Sequence, residues 1–436
     1  MSNFPDTSNS SGFFSQSSDL TKRIFYTLFI LIIYRFCTYV PIPGIDPESL
    51  KNLLTGNERS LLGMFNLFAG GAVQRMAILT LGIMPYISSS IIIQLLTGVT
   101  EYFKNLKAQG EFGRRKITQY TRYGTVLLAL IQGYGVSVSL ENSPGIVLEA
   151  GMYFRFVTTI TLLTGTILIM WLGEQITARG IGNGISLIIF SGIVAEIPSA
   201  LASTFELGRT GAISSVVILT VLALLLGAIY FIVYVERAQR RILIQYPKRQ
   251  MGNKIYGGES SYLPLKVNTA GVIPAIFASA LLLLPITLSN FSTSSNSFMV
   301  SITSLLGQGK PLYMLFYASG IVFFSFFYTS IIFNPVETSD NLKKHGGFVP
   351  GIRPGEKTSE FIQSLLTKLT VIGSSYLVII CLLPEVLISK YPIPFYLGGT
   401  SLLIVVVVAM DTITQVQTRM MSAQYASLIK KTKFSK

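Results

Sequence analysis

A chain of 436 residues that is 50% hydrophobic and only 12% charged, with a mean hydropathy of +0.56, is too apolar for a water-soluble domain and reads as a polytopic helical membrane protein. Its net charge of +14 invites a nucleic-acid reading, but the lysines and arginines sit in short hydrophilic segments between apolar spans, where their first effect is on orientation. The single histidine, His345, excludes a His-based triad or an HExxH zinc site, and Cys37 and Cys381, each inside an apolar segment, suggest neither a disulfide framework nor a thiolate metal site.

The chain begins with residues 1–22, rich in Ser and Asn and without a basic residue before Lys22, which reads as a disordered cytoplasmic tail rather than a cleaved signal peptide. Apolar length then predicts ten spans, at about 24–40, 73–97, 117–138, 152–172, 185–203, 212–235, 267–288, 312–333, 369–387 and 395–413. Five precede the middle of the chain and five follow it. Two odd-numbered halves, 23–203 and 204–414, enter the membrane in opposite senses, the arrangement of an inverted repeat around a central path. Residues 415–436 form a C-terminal tail. The stretch 290–309 is Ser-rich and reads as an extracellular loop.

Loop charge alternates sharply. Of the 34 lysines and arginines, 25 lie in the two termini or in one alternating set of loops, while Lys51, Arg59, Arg75, Arg209, Lys310 and Lys390 make up the other set. The positive-inside rule therefore makes both termini cytoplasmic. Arg35, Arg122 and Arg155 fall in or near span ends, where snorkelling to the interface is the simpler reading.

The most unusual element is the broken apolar stretch 61–97. Its first piece, Leu61 to Ala69, reads as a helix, but at about 1.5 Å per residue it falls far short of the roughly 30 Å hydrocarbon core. Gly70 and Gly71 interrupt it, and the chain resumes as a segment expected to span from Val73 to Thr97. A half-helix hinged to a full one is tolerated at membrane depth only where it is buried in protein or lines a cavity.

Chemistry is sparse. The spans contain almost none of the carboxylates on which ion-coupled transporters rely; Glu174 and Asp411 lie at helix ends and read as interfacial or capping groups. The segments GGES (257–260) and GRRK (113–116) do not match a P-loop, so any energy for work comes from a partner or the membrane potential. No cofactor, metal site or catalytic residue is expected. What the spans do offer is isoleucine at helical spacing: Ile83, Ile87 and Ile91, then Ile185 and Ile189. Such stripes serve packing or lipid contact as readily as a pore. Two loops, 236–266 and 334–368, exceed what joins neighbouring helices; their charge either sets topology or makes a docking surface for an acidic or nucleic-acid-containing partner.

Several long stretches resemble the SecY family of bacterial protein-conducting channels: PIPGID from Pro41, MFNLFAGGA from Met64, LGIMPYISSSIIIQLL from Leu81, GEFGRRKITQYTRYGT from Gly110 and WLGEQITARGIGNGISLIIF from Trp171. VERAQRRILIQY from Val235, LPLKVNTAGVIPAIFAS from Leu263, FVPGIRPGEKT from Phe348 and PFYLGGTSLLIVVVVAMD from Pro394 continue the likeness over nearly the whole chain. The resemblance implies an all-α fold in which two inverted five-helix halves surround a pore for unfolded secretory polypeptides. A plug half-helix would comprise Leu61, Leu62, Gly63, Met64, Phe65, Asn66, Leu67, Phe68, Ala69, Gly70 and Gly71. A waist ring would fall on Ile83, Ile87, Ile185, Ile189, Ile276 and Ile404.

It further implies a lateral gate between the second and seventh spans, carrying Gln94 and Asn268, through which transmembrane segments reach membrane lipid. Arg237, Arg240, Arg241, Lys254 and Arg353 would receive a SecA ATPase motor or a translating ribosome. At the loop tip this chain departs from many relatives, with Asn253 and Lys254 in place of paired arginines. The implied partners are SecE, SecG, SecA, the ribosome and preproteins bearing signal sequences, without sequence-specific nucleic-acid binding, and the implied location is the bacterial plasma (inner) membrane. An ion-coupled secondary transporter is the competing reading, and a membrane-bound enzyme the third.

Overall fold

The computed structural model describes residues 18–45, 69–141, 145, 147–211, 214–246, 249–251, 254–256, 260–290, 310–390 and 398–434. Residues 61–68, most of the expected plug, and the loop 291–309 lie outside the described residues.

The first helix, α1 (Ser18–Cys37), opens with an Arg23–Asp19 ion pair of 3.1 Å, the carboxylate lying in the first turn where the helix dipole favours it. Beyond it the chain from Pro41 to Ile45 turns at Pro43 and Gly44 and bridges two other segments, Pro41 to Ala77 and Ile45 to Val147. The Ile42 amide donates to the Met76 carbonyl and the Ile78 amide to Val40, each at 2.9 Å. Residues 69–83 thus form a turn-rich buried segment, and helix α2 (Met84–Val99) begins only afterwards.

This corrects the expected continuous span from Val73 to Thr97. Met76 and Gly82 both have positive φ, 39° and 57°, which no α-helix accommodates. Pro85 sits in the first turn of α2, where its missing N–H breaks no ladder hydrogen bond. The 16 residues of α2 reach roughly 24 Å, and the hydrocarbon thickness is completed by the irregular segment packed within protein.

A short helix, α3 (Glu101–Ala108), leads into the long helices α4 (Glu111–Glu141), α5 (Met152–Arg179), α6 (Gly184–Arg209) and α7 (Ser215–Arg237). Asn183 caps α6 by accepting from the Ile185 amide at 3.2 Å. Four strands follow. The strands β1 (Gln239–Gln245) and β4 (Ser260–Lys266) pair antiparallel in the register Ile242 to Leu263, and β2 (Arg249–Met251) pairs with β3 (Lys254–Tyr256). The chain then forms α8 (Ile273–Asn290), α9 (Pro311–Ile332), α10 (Pro335–Lys344), α11 (Glu356–Lys390) and α12 (Gly399–Phe434).

Seven stretches among the described residues are long and apolar enough to cross a bilayer, and α1, α2 and α8 fall on the other three expected spans. The helices associate in two sets. In one, α5 packs on α1, α2, α4 and α6, and α2 on α4; in the other, α9 packs on α8 and α11, and α12 on α11 and α7. The sets meet where α8 lies against α2 and α4 and, on another side, where α12 lies against α6 and α1 and α7 touches α6. The buried side chains along these junctions form one apolar cluster drawn from both sets. The chain is therefore a helical, multi-pass membrane protein.

Candidate functional site

The six isoleucines of the expected waist come from four separate parts of the chain: Ile83 and Ile87 around the start of α2, Ile185 and Ile189 in the first turns of α6, Ile276 in α8 and Ile404 in α12. The fold brings all six into the same apolar cluster. Ile83, Ile87, Ile189 and Ile404 are buried within it, and Ile185 and Ile276 pack half-buried against it. Pro85 sets where α2 starts, Asn183 sets where α6 starts, α8 begins at Ile273 and α12 at Gly399, so all four contributors deliver their isoleucines at or within the first two turns of a helix. Isoleucine is stiff at χ1 and offers no hydrogen bond.

Of the expected plug, only Ala69, Gly70 and Gly71 lie within the described residues. All three are buried, and both glycines adopt positive φ, 64° and 80°. The Arg35 guanidinium donates from Nη1 to the Gly70 carbonyl at 2.7 Å.

The expected gate residues are not joined to one another, and Asn268 lies in the bend ahead of α8 rather than in that helix. Asn268, buried ahead of α8, donates from Nδ2 to Glu236 Oε1 at 2.6 Å and to the Gly271 carbonyl at 3.1 Å. Gln94 in α2 donates to Ser90 Oγ at 3.2 Å, and its buried Oε1 has no protein partner among the described residues.

The two long basic loops fold onto one another. Gln245 in β1 and Phe348 exchange both backbone hydrogen bonds, at 2.9 and 3.0 Å. Ile242, Leu265, Val349, Ile362, Leu366 and Leu369 form a small apolar core beneath them. Over this base Arg237, Arg240, Arg241 and Arg353 are all exposed. The loop carrying Arg353 is pinned on both sides: Thr358 Oγ1 donates to the Arg353 carbonyl at 2.9 Å and Ser339 Oγ to the Gly355 carbonyl at 2.6 Å. Lys254 lies in β3, paired with Met251.

Three arginines have partners rather than snorkelling freely. Arg122 makes two parallel 2.8 Å hydrogen bonds to Glu174, Arg155 pairs with Glu141, and Arg35 turns inward to Gly70. Asp411 forms an exposed 3.9 Å pair with Lys266. On the same side as the basic loops, Lys107 of α3 donates from Nζ to the Ile331 carbonyl at 2.8 Å, a cation at the C-terminus of α9. These pairings join residues 14 to more than 200 positions apart, and sequence spacing carries no signal for them.

A family model described as SecY matches residues 77–413, more than three quarters of the chain. The chain belongs to the SecY family. The protein translocase subunit SecY of Rickettsia bellii is 55% identical over 421 residues, covering 96% of this chain and 97% of that relative. The Escherichia coli K12 subunit is 52% identical over 418 residues, covering 95% and 94%. Among solved structures, a protein-conducting channel superposes with a TM-score of 0.65 at 16% identity over 93% of each chain. Sec61 in the canine ribosome–channel complex gives 0.63 at 16% identity, again over 93% of each. The SecY-family fold therefore extends over nearly the whole chain, and the six isoleucines, Gln94, Asn268 and the basic loops all lie inside the matched region.

Proposed function

We infer that this SecY-family chain is the protein-conducting channel subunit of a translocase, passing unfolded secretory polypeptides across the membrane and releasing transmembrane segments sideways into lipid. It is a channel subunit, not an enzyme. The observation that supports this reading is that the six isoleucines of α2, α6, α8 and α12 all belong to the one large apolar core that the two helix sets share where they meet. A pore for unfolded chain must accept every side chain and bind none. An isoleucine waist supplies compliant apolar contact with a moving chain and excludes water and ions when empty.

The packing of α8 against α2 and α4 supports a lateral gate there. Parting these helices would expose a signal sequence or nascent helix to lipid, where its apolar surface partitions with about 25 cal/mol per Å². Gln94 and Asn268 are the polar side chains we assign to that gate. The plug is assigned to 61–71, hinged at Gly70 and Gly71. Residues 23–203 and 204–414 are assigned as its two halves. The rigid basic platform of Arg237, Arg240, Arg241 and Arg353, with Lys254 at the β2–β3 tip, is the surface we assign to a SecA motor or a translating ribosome. Two structural neighbours, canine Sec61 and yeast Ssh1, were solved in ribosome complexes, which supports the ribosome as one such partner. SecE as a clamp and SecG as an accessory, location in the bacterial plasma membrane and cytoplasmic termini complete the proposal. The transporter alternative has no support in the relatives, which are named as translocase subunits.

The test is conductance through the full chain reconstituted with its partner subunits. A stalled secretory precursor should block the current, and small solutes should not. Block or coupled flux by a small solute, with no effect of the precursor, would overturn the reading.

A further inference from the structure

We propose that Lys107 of α3 is a positioning residue for lateral release: its bond to the end of α9 sets how apolar a segment must be before the two helix sets part for it. This rests on the reading of the α2–α8 junction as the lateral gate. The bond has a local cause. α9 ends at Ile332, after which Phe333 (φ −107°, ψ 116°) and Asn334 (φ −99°, ψ 104°) run extended. The residue four beyond Ile331 is Pro335, which has no N–H, so the Ile331 carbonyl receives no donor from the helix ladder. Lys107 Nζ supplies one from across the junction at 2.8 Å, a cation at the negative end of α9.

The two ends of this bond belong to different helix sets. α3 packs on α2 and α4, whereas α9 packs on α8 and α11. α9 is firmly tied to α8. The Phe277 ring of α8 meets Phe324 and Tyr328 of α9 edge to face at 5.7 and 6.2 Å, and a Cβ added at Gly320 of α9 would lie 3.3 Å from Ala278 Cβ. Beside the lysine the contact between sets is apolar and close. A Cβ added at Gly98, in the last turn of α2, would lie 3.2 Å from Phe327 Cε2 and Cζ and 3.6 Å from Ile331 Cδ1. The Glu337 carboxylate in the first turn of α10 adds attraction for the Lys107 ammonium.

α2, α3 and α9 thus close over one end of the junction, on the side of the basic loops. Drawing α8 away from α2 takes α9 with it and breaks the Lys107 bond. A segment entering lipid through this junction must therefore supply the free energy of that bond as well as that of the apolar contacts. Exchange of one exposed hydrogen bond for water shifts such an equilibrium by roughly two- to tenfold.

The experiment uses the full channel complex in membranes and precursors whose test segment is graded in composition from alanine to leucine. It measures the ratio of segments integrated into lipid to segments passed across. For the segment that divides equally in the unaltered complex, Lys107→Met should raise that ratio roughly two- to tenfold and move the midpoint of the series toward fewer leucines. Lys107→Arg, which keeps a cationic donor, should stay near the unaltered ratio. Lys104→Met, which removes the same charge from an exposed position of the same helix, should leave the ratio unchanged. If Lys107→Met is not recovered from membranes, Gly98→Ala tests the same closure with Lys107 intact: its methyl, 3.2 Å from the Phe327 ring, should raise the ratio, and an unchanged ratio overturns the proposal. An unchanged ratio in Lys107→Met, or an equal rise in Lys104→Met, overturns the role of Lys107 and leaves the gate reading standing. An unaltered complex that integrates none of the graded segments overturns the gate reading and the role of Lys107 together.

Discussion

Two glycines on facing membrane helices should respond oppositely to the same methyl group. Gly165 lies in α5 where it meets the irregular segment before α2; an added Cβ would collide with the Ile78 carbonyl oxygen and lie 2.9 Å from its carbon and 3.4 Å from Leu79 Cδ2. That backbone cannot drift freely, because the Ile78 amide is bonded to Val40 at 2.9 Å. Gly165→Ala therefore brings an overpacking cost of about 1–3 kcal/mol and strains a backbone hydrogen bond, against a helix-propensity gain of roughly 0.8–1.0 kcal/mol. The net expectation is a loss of about 1–2 kcal/mol and a displaced Ile83, five residues downstream of Ile78. Gly133 lies in α4, where an added Cβ would meet Thr159 O at 3.5 Å and Leu162 Cβ at 3.6 Å, ordinary contacts. Gly133→Ala should keep most of the propensity gain and stabilise by up to about 1 kcal/mol. Thermal and proteolytic stability of the two variants in the same detergent measures the difference. A Gly165→Ala variant as stable as the parent, or a Gly133→Ala variant less stable than Gly165→Ala, would refute the reasoning.

Other consequences follow from individual pairs. Asn268→Ala leaves the buried Glu236 carboxylate without its 2.6 Å donor and should cost about 1.5–3 kcal/mol, part of which Glu236→Ala restores in the double variant; a double-mutant cycle on thermal stability reads the coupling. The Arg122–Glu174 pair is bidentate but partly open to solvent, with side chains 47% and 27% exposed, so Glu174→Gln should cost about 1 kcal/mol or less, and less still at high salt. Burial, and then the nearby Arg114, pull the Lys107 ammonium below the ordinary lysine range. The unfolded chain holds that proton more tightly, so this group's contribution to stability rises with pH between the depressed value and the ordinary value of about 10.5; thermal scans should lose that alkaline gain in Lys107→Met.

The sequence announces its spans and its family, because apolar length and long ordered motifs are local properties. Ile83 and Ile87, or Ile185 and Ile189, are visible as stripes, yet spacing alone leaves them equally suited to packing. Their meeting with Ile276 and Ile404 depends on tertiary arrangement, and the family resemblance supplied that expectation. The start of α2 was misplaced because hydropathy is blind to the positive φ of Met76 and Gly82, even though Pro85 was available as a helix-start signal. The loop 236–266 carries strand signals in the β-branched Ile242 and Ile244 of β1, which its basic composition obscured. The partners of Arg35, Arg122 and Arg155 lie 35, 52 and 14 residues away, and charge counting treats such side chains as solvated.

The channel reading stands or falls on whether a translocating chain passes the isoleucine cluster. Cys37 and Cys381 are replaced by serine, a lone cysteine is placed at Ile404, and disulfide formation with a stalled secretory precursor carrying one cysteine is measured in the full complex. The channel reading predicts a strong crosslink that requires a functional signal sequence and moves in register with the precursor's cysteine. Absence of that crosslink, with normal membrane insertion and a positive control in a known channel, would contradict it.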